Sequence, residues 1–198
     1  DCTQGVGKVK LNLQDVDLIT FAPHKFYGLN GFGGLIKKKE IVLEPLINGG
    51  ASTTIYRSGT PVVGQICALE KALQITFENF ETREEYVRKL NEKLRTGLLK
   101  YPDIQINTVG KENPFILNLS ITGIKAVEFK KKLEENGVCV SIKSACTVTI
   151  TPSRIVMSMT HDRKRALASW RISLSHLVTE EEINEFLDIF DKCYKEFK

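Results

Sequence analysis

Residues 16–34, VDLITFAPHKFYGLNGFGG, run from an apolar stretch into a His-Lys pair and then into four glycines within seven positions. The stretch 16–21 is of strand length and mostly apolar, which predicts a strand buried on both faces. Such a strand ends by delivering Lys25 to the edge of a core. A desolvated lysine amine is neutral and nucleophilic, the state that Schiff-base chemistry with a carbonyl cofactor requires. The glycines that follow do not form a nucleotide fingerprint. GLNGFGG lacks the Gly-Lys-Ser/Thr ending of a phosphate loop, and its spacing is not that of a Gly-x-Gly-x-x-Gly turn opening a helix. On spacing alone the glycines predict a tight turn.

Outward from this stretch, FGGLIKKK (32–39) reads as a second strand that leaves the core at its lysines, and 47–61 as a long Gly/Ser/Thr loop with Pro61 placed for the first turn of a helix. Ile66, Leu69, Leu73 and Phe77 then recur at helical spacing, as do Tyr86, Leu90, Leu94 and Leu98. IQINTV and FILNLSI read as strands, 125–136 as a helix stopped by Gly137, and VCVSI and SWRISLS as strands flanking the loop SACTVTITPS. Thr179 and Glu182 form a capping box ahead of Ile183, Phe186, Phe190 and Phe197, which predicts a C-terminal helix. The expected organisation is α/β: residues 1–60 as part of a larger sheet, followed by a smaller α+β domain over 61–198. Because DCTQGVGK begins without Met and reads as a strand end entering a turn, the chain is expected to continue a longer protein.

Composition narrows the function. With 198 residues, 42% hydrophobic and 26% charged, the chain is of ordinary globular make-up. No apolar run approaches the roughly 18 residues of a membrane span and no signal peptide opens the chain, so the cytoplasm is the expected location. The net charge of +4 is scattered, and the two Lys-Lys-Lys runs lack interleaved aromatics, which points away from nucleic acid. Five cysteines without a Cys-x-x-Cys, and three histidines far apart, point away from disulfides and zinc.

Four separated motifs, DCTQGVGK, PHKFYG, YRSGTP and KSACT followed by WRISLS…TEEEI, resemble in order and spacing the class V aminotransferase-like enzymes of pyridoxal phosphate (PLP). Within that group they resemble cysteine desulfurases of the NifS/IscS type. The resemblance covers essentially the whole chain and implies the end of a fold-type-I large-domain sheet followed by the small domain. It makes Lys25 the lysine that carries PLP and His24 the neighbouring acid/base. Asp1 becomes the partner of the pyridine nitrogen and Gln4 a hydrogen-bond donor to the ring oxygen. Thr60 would contact the phosphate across a homodimer, and Arg171 would grip the carboxylate of L-cysteine. Cys146, in a loop of small and polar residues, would take the sulfur as a persulfide and pass it to an acceptor, an iron–sulfur scaffold or a tRNA-thiolating enzyme.

The other cysteines read differently: Cys67, Cys139 and Cys193 fall in helix or strand patterns, where cysteine is a small buried hydrophobe. Ala22, Lys143 and the stretch GGASTT (49–54) depart from the common family pattern. Alternatives are a related PLP lyase acting on selenocysteine or cysteine sulfinate, an aminotransferase, or a non-catalytic fragment. Family members are about twice this length, so the chain by itself is expected to bind PLP weakly or not at all and to be inactive.

Overall fold

The computed structural model describes residues 1–50, 54–108, 113–142 and 151–198. They fall into two compact units, Asp1–Glu81 and Thr82–Lys198.

In the first unit, β1 (Leu18–Phe21) pairs antiparallel with β2 (Gly34–Lys37), placing Phe21 opposite Gly34. Between them lies a single 3-10 turn, Pro23–Phe26. The expected strand is thus shorter than 16–21 and is not buried on both faces: only Ile19 is buried, while Leu18, Leu35 and Ile36 are exposed. The reason is topological, since each strand of this two-stranded ribbon has one neighbour. The helix after the long loop, α1 (Val63–Glu78), begins two residues beyond Pro61; Val62 is its N-cap and supplies no side-chain cap. Its expected apolar stripe is largely uncovered, with Ile66 52% and Phe77 62% exposed. The helix is instead seated by Thr76, its one buried residue. Lys37, at the end of β2, is half buried and donates to the carbonyl of Ile41 at 2.8 Å.

The second unit has a dense core. Helix α2 (Phe80–Leu98) buries Leu90, Leu94 and Leu98, as its spacing predicts. Three antiparallel strands follow in the order β3 (Ile104–Ile106), β4 (Ile116–Ile121), β5 (Ser169–Ser173). Helix α3 (Ala126–Glu135) stops at Asn136, with Gly137 at φ 83°, the left-handed geometry expected of it. VCVSI does not form a strand; only Ser141 bridges to Arg171. Two short helices absent from the sequence reading, α4 (Arg154–Thr160) and α5 (Arg163–Leu167), lead into β5. The C-terminal helix α6 (Glu180–Glu196) carries both halves of its capping box: the Glu182 amide donates to the Thr179 hydroxyl at 3.1 Å and the Thr179 amide to the Glu182 carboxylate at 2.8 Å.

Alternation decides what each sheet face does. Leu117, Leu119, Trp170 and Ile172 point to one side, into the core shared with α2, α3 and α6. There Phe129 meets Phe190 edge-on at 5.3 Å, and Trp170 lies against Phe190 at 6.2 Å. The opposite side carries Asn118, Ser120, Ser169 and Arg171. One face therefore holds the unit together, and the other is polar.

Candidate active site

The first unit presents its site residues on locked turns. The Asp1 carboxylate accepts from the Thr3 amide at 2.8 Å, and the Cys2 amide donates to the Thr20 carbonyl at 2.8 Å, which ties the first turn to β1. Gln4 accepts from the Lys8 amine at 2.7 Å. Gly7 sits at φ 74°, and a Cβ there would come within 2.6 Å of the Thr76 methyl and 3.1 Å of Phe26. The first turn, the 3-10 turn and α1 thus meet where only glycine fits.

Within the 3-10 turn Pro23 and Phe26 point inward, so His24 and Lys25 point out and are exposed. Tyr27 closes the turn at φ 71°, and the Gly28 amide returns to the Pro23 carbonyl at 2.9 Å. Neither the Lys25 amine nor the His24 imidazole makes a hydrogen bond or ion pair among the described residues. The amine is not desolvated as its strand-end position suggested; it is held out by the inward packing of its neighbours. The glycine run serves packing too: a Cβ on Gly34 would lie 2.1 Å from the Phe21 ring.

Thr60 is exposed, three residues ahead of α1, in a loop tied back by the Ser58 amide to the Ile47 carbonyl at 3.2 Å. Asp1, Gln4, His24, Lys25 and Thr60 thus share one unit, with the first four on turns that pack around Phe26 and β1.

Arg171 lies in the second unit, on β5, where its backbone exchanges hydrogen bonds with Ser141. Its Nε is buried without a hydrogen-bond partner among the described residues. Beside it is a network that the sequence reading missed. Arg165 Nε donates to Asn107 Oδ1 at 2.6 Å and Arg165 Nη2 to the Ile106 carbonyl at 2.7 Å. Asn107 Nδ2 donates to Asn118 Oδ1 at 2.7 Å and to Ser120 Oγ at 2.9 Å, and Ser120 Oγ donates to the Arg165 carbonyl at 2.8 Å. The signal lay in every second position of IQIN and ILNLS, where polar residues alternate with apolar ones.

Cys146 and Lys143 lie outside the described residues, as do Ala51 to Thr53 of the GGASTT stretch. Cys193 is fully buried, as its helix pattern predicts, and that burial pushes its thiol pKa up. Cys67 and Cys139, in contrast, are exposed, contrary to the expectation that their patterns bury them. Cys67 lies on the uncovered side of α1, and Cys139 follows α3 in the stretch that forms no strand. Among the described residues no group of His, Cys, Asp or Glu could hold a metal, and no helix is long and apolar enough to cross a membrane.

The sequence profile described as Aminotransferase class-V matches residues 1–186. Cysteine desulfurase IscS of Clostridium botulinum is 30% identical over 99% of this chain and 51% of its own length. That of Salmonella typhi is 34% identical over 97% of this chain and 48% of its own. The solved structure of a NifS-like protein, 30% identical, superposes with a TM-score of 0.87 over 99% of this chain and 52% of that one. The chain thus spans about half the length of the curated relatives it matches, and its fold is that of the corresponding part of the NifS-like structure, a fold-type-I arrangement. On the strength of the match over residues 1–186, the chain belongs to the aminotransferase class-V family.

Proposed function

We propose that this chain is part of a PLP-dependent cysteine desulfurase that converts L-cysteine to L-alanine and leaves a persulfide on Cys146. The observation that carries this reading is the 3-10 turn that holds His24 and Lys25 out together, both free of partners among the described residues. A primary amine with no competing carboxylate is the group that can hold an aldehyde cofactor covalently.

The residues present fit that cofactor by their chemistry. Lys25 would hold it, Asp1 would supply the carboxylate for its ring nitrogen, Gln4 a donor for its ring oxygen, and Thr60 a hydroxyl for the phosphate of a second subunit. When bound, PLP supplies an electron sink for the substrate carbons. His24 holds and moves the substrate proton at an imidazole nitrogen. Arg171 orients the substrate through its carboxylate, to which a guanidinium presents paired donors. The Cys146 thiolate attacks the substrate sulfur. An S–S bond forms, the C–S bond breaks with its electron pair left on carbon, and that carbon takes a proton to become the methyl group of L-alanine. The sulfur remains on Cys146 as a persulfide, oxidised relative to the thiol by the two electrons the carbon skeleton gained.

Functionally, residues 1–60 carry the cofactor-side groups and 61–198 the carboxylate and sulfur-accepting groups. The working protein is a cytoplasmic homodimer that hands sulfur to an acceptor protein, without direct nucleic-acid contact. Because the chain spans about half its relatives' length, it binds PLP weakly or not at all by itself. The test is alanine and sulfide release from L-cysteine by the full-length PLP-loaded protein. Cys146→Ser should abolish both; full turnover in that variant overturns the desulfurase reading.

A further inference from the structure

The polar face of the second unit's sheet contains a donor that the functional reading leaves unused. Asn118 stands directly opposite Arg171 in the β4–β5 register, on the same face. Residues so paired have their Cβ atoms about 4.5–5.5 Å apart.

Which end of the Asn118 amide faces outward is fixed by a chain of hydrogen bonds that starts at a group with no choice. A guanidinium only donates, so the atom of Asn107 that meets Arg165 Nε at 2.6 Å is its oxygen. Asn107 therefore turns its NH2 group toward Asn118 and Ser120, at 2.7 and 2.9 Å. Asn118 must answer with its oxygen. Its own NH2 group is left over and makes no hydrogen bond among the described residues. Ser120 closes the circuit by donating to the Arg165 carbonyl at 2.8 Å, so the orientation cannot reverse without breaking several bonds.

We infer that Asn118 is a second carboxylate-binding residue: its Nδ2 and the Arg171 guanidinium together form a site that presents only donors to the carboxylate of an amino-acid substrate. Arg165 and Asn107 are positioning residues that hold the amide in that sense. The assignment rests on the reading of Arg171 as the carboxylate-binding group. It adds a donor pre-oriented before substrate arrives, which lowers the ordering cost of binding.

The experiment measures equilibrium binding, by calorimetry on the full-length PLP-loaded protein, of L-alanine and of ethylamine, which is alanine without its carboxylate. Asn118→Ala should weaken L-alanine by roughly 10- to 100-fold, the range for one hydrogen bond to a charged group, and leave ethylamine unchanged. Asn118→Asp keeps the acceptor that Asn107 needs, so the network and fold persist. It should weaken L-alanine further, because a carboxylate then occupies the donor position. Arg171→Ala, run in parallel, should also weaken L-alanine alone. In steady state the Asn118 variants should raise KM for L-cysteine with little change in kcat. Wild-type alanine affinity in both Asn118 variants, with affinity lost in Arg171→Ala, overturns the Asn118 assignment alone. Equal weakening of alanine and ethylamine by Asn118→Ala overturns it as well, since that is the signature of a purely structural role. Unchanged affinity in Arg171→Ala overturns the carboxylate reading of the whole face, and this assignment with it.

Discussion

The two units solve the same problem, holding reactive side chains in place, by opposite means. In the first, the described residues that are buried number only four, Ile19, Pro23, Phe26 and Thr76, and its placement of His24 and Lys25 relies on tight backbone turns and close approach at glycines. In the second, a three-stranded sheet is sealed on one face by three helices and their aromatic side chains. Its other face can then hold a half-buried arginine, Arg171, and an amide network without endangering the fold. The contrast teaches that, among the described residues, tight packing is concentrated in the second unit. On the proposed function, the unit with the strong core would carry substrate recognition through Arg171, and the unit with four buried described residues would carry the Lys25 amine.

That contrast can be attacked directly. The largest effect belongs to Lys25→Ala. In the full-length protein it should remove the absorbance band at about 400–430 nm that a lysine-bound PLP gives, with turnover reduced to background. A retained band would break the assignment of the first unit. Next, Phe190→Ala should cost the second unit about 3–5 kcal/mol in denaturant unfolding, because Phe190 is fully buried among Phe129, Trp170 and Tyr194. In the first unit the sensitive site is a glycine instead. Gly7→Ala should cost about 2–4 kcal/mol, combining a left-handed backbone with a methyl group forced against Thr76.

Alkaline titration sharpens the comparison further, because the second unit has phenols tied to carboxylates. Burial and Asp191 push the Tyr101 pKa up to about 12, and burial and Asp103 do the same for Tyr194. The Tyr101 hydroxyl donates to Asp191 at 2.9 Å and the Tyr194 hydroxyl to Asp103 at 2.5 Å, cross-linking α6 to the turn after α2. A folded-state pKa above the unfolded value of about 10 means that this stability is complete below pH 10 and is lost as pH rises toward 12. Unfolding midpoints followed across that interval should fall, and Tyr194→Phe should shrink the fall. The smallest effect is expected at Ile36→Ser on the open ribbon: within about 0.5 kcal/mol in this chain, since Ile36 is already 54% exposed.

Much of the second unit was legible because its signals are local. The capping box of α6, the Gly137 stop and the Leu90–Leu94–Leu98 stripe each depend on residues within a turn or two of one another. The first unit misled for the same reason. An apolar run reports affinity for a core without saying whether one is there, so Leu18, Ile66 and Phe77 predicted burial that this unit does not supply. Motif order marked out Asp1, Gln4, His24, Lys25, Thr60, Arg171 and Cys146. The alternation in IQIN and ILNLS marks Asn107, Asn118 and Ser120, but their tie to Arg165 was out of reach, because Arg165 finds Asn107 58 residues away through α5, a helix of five residues with too short a period to read. The exposure of Cys67 and Cys139 was hidden likewise, since a pattern of spacing does not reveal which face has a neighbour.

Those exposed thiols set the most direct test of the account. Treat the full-length PLP-loaded protein with L-cysteine in the absence of reductant, digest it, and locate the added sulfur by mass spectrometry on each of the cysteine peptides. The account predicts one additional sulfur atom on Cys146, and none in the Lys25→Ala protein. Sulfur on Cys67 or Cys139 with Cys146 unmodified would contradict it.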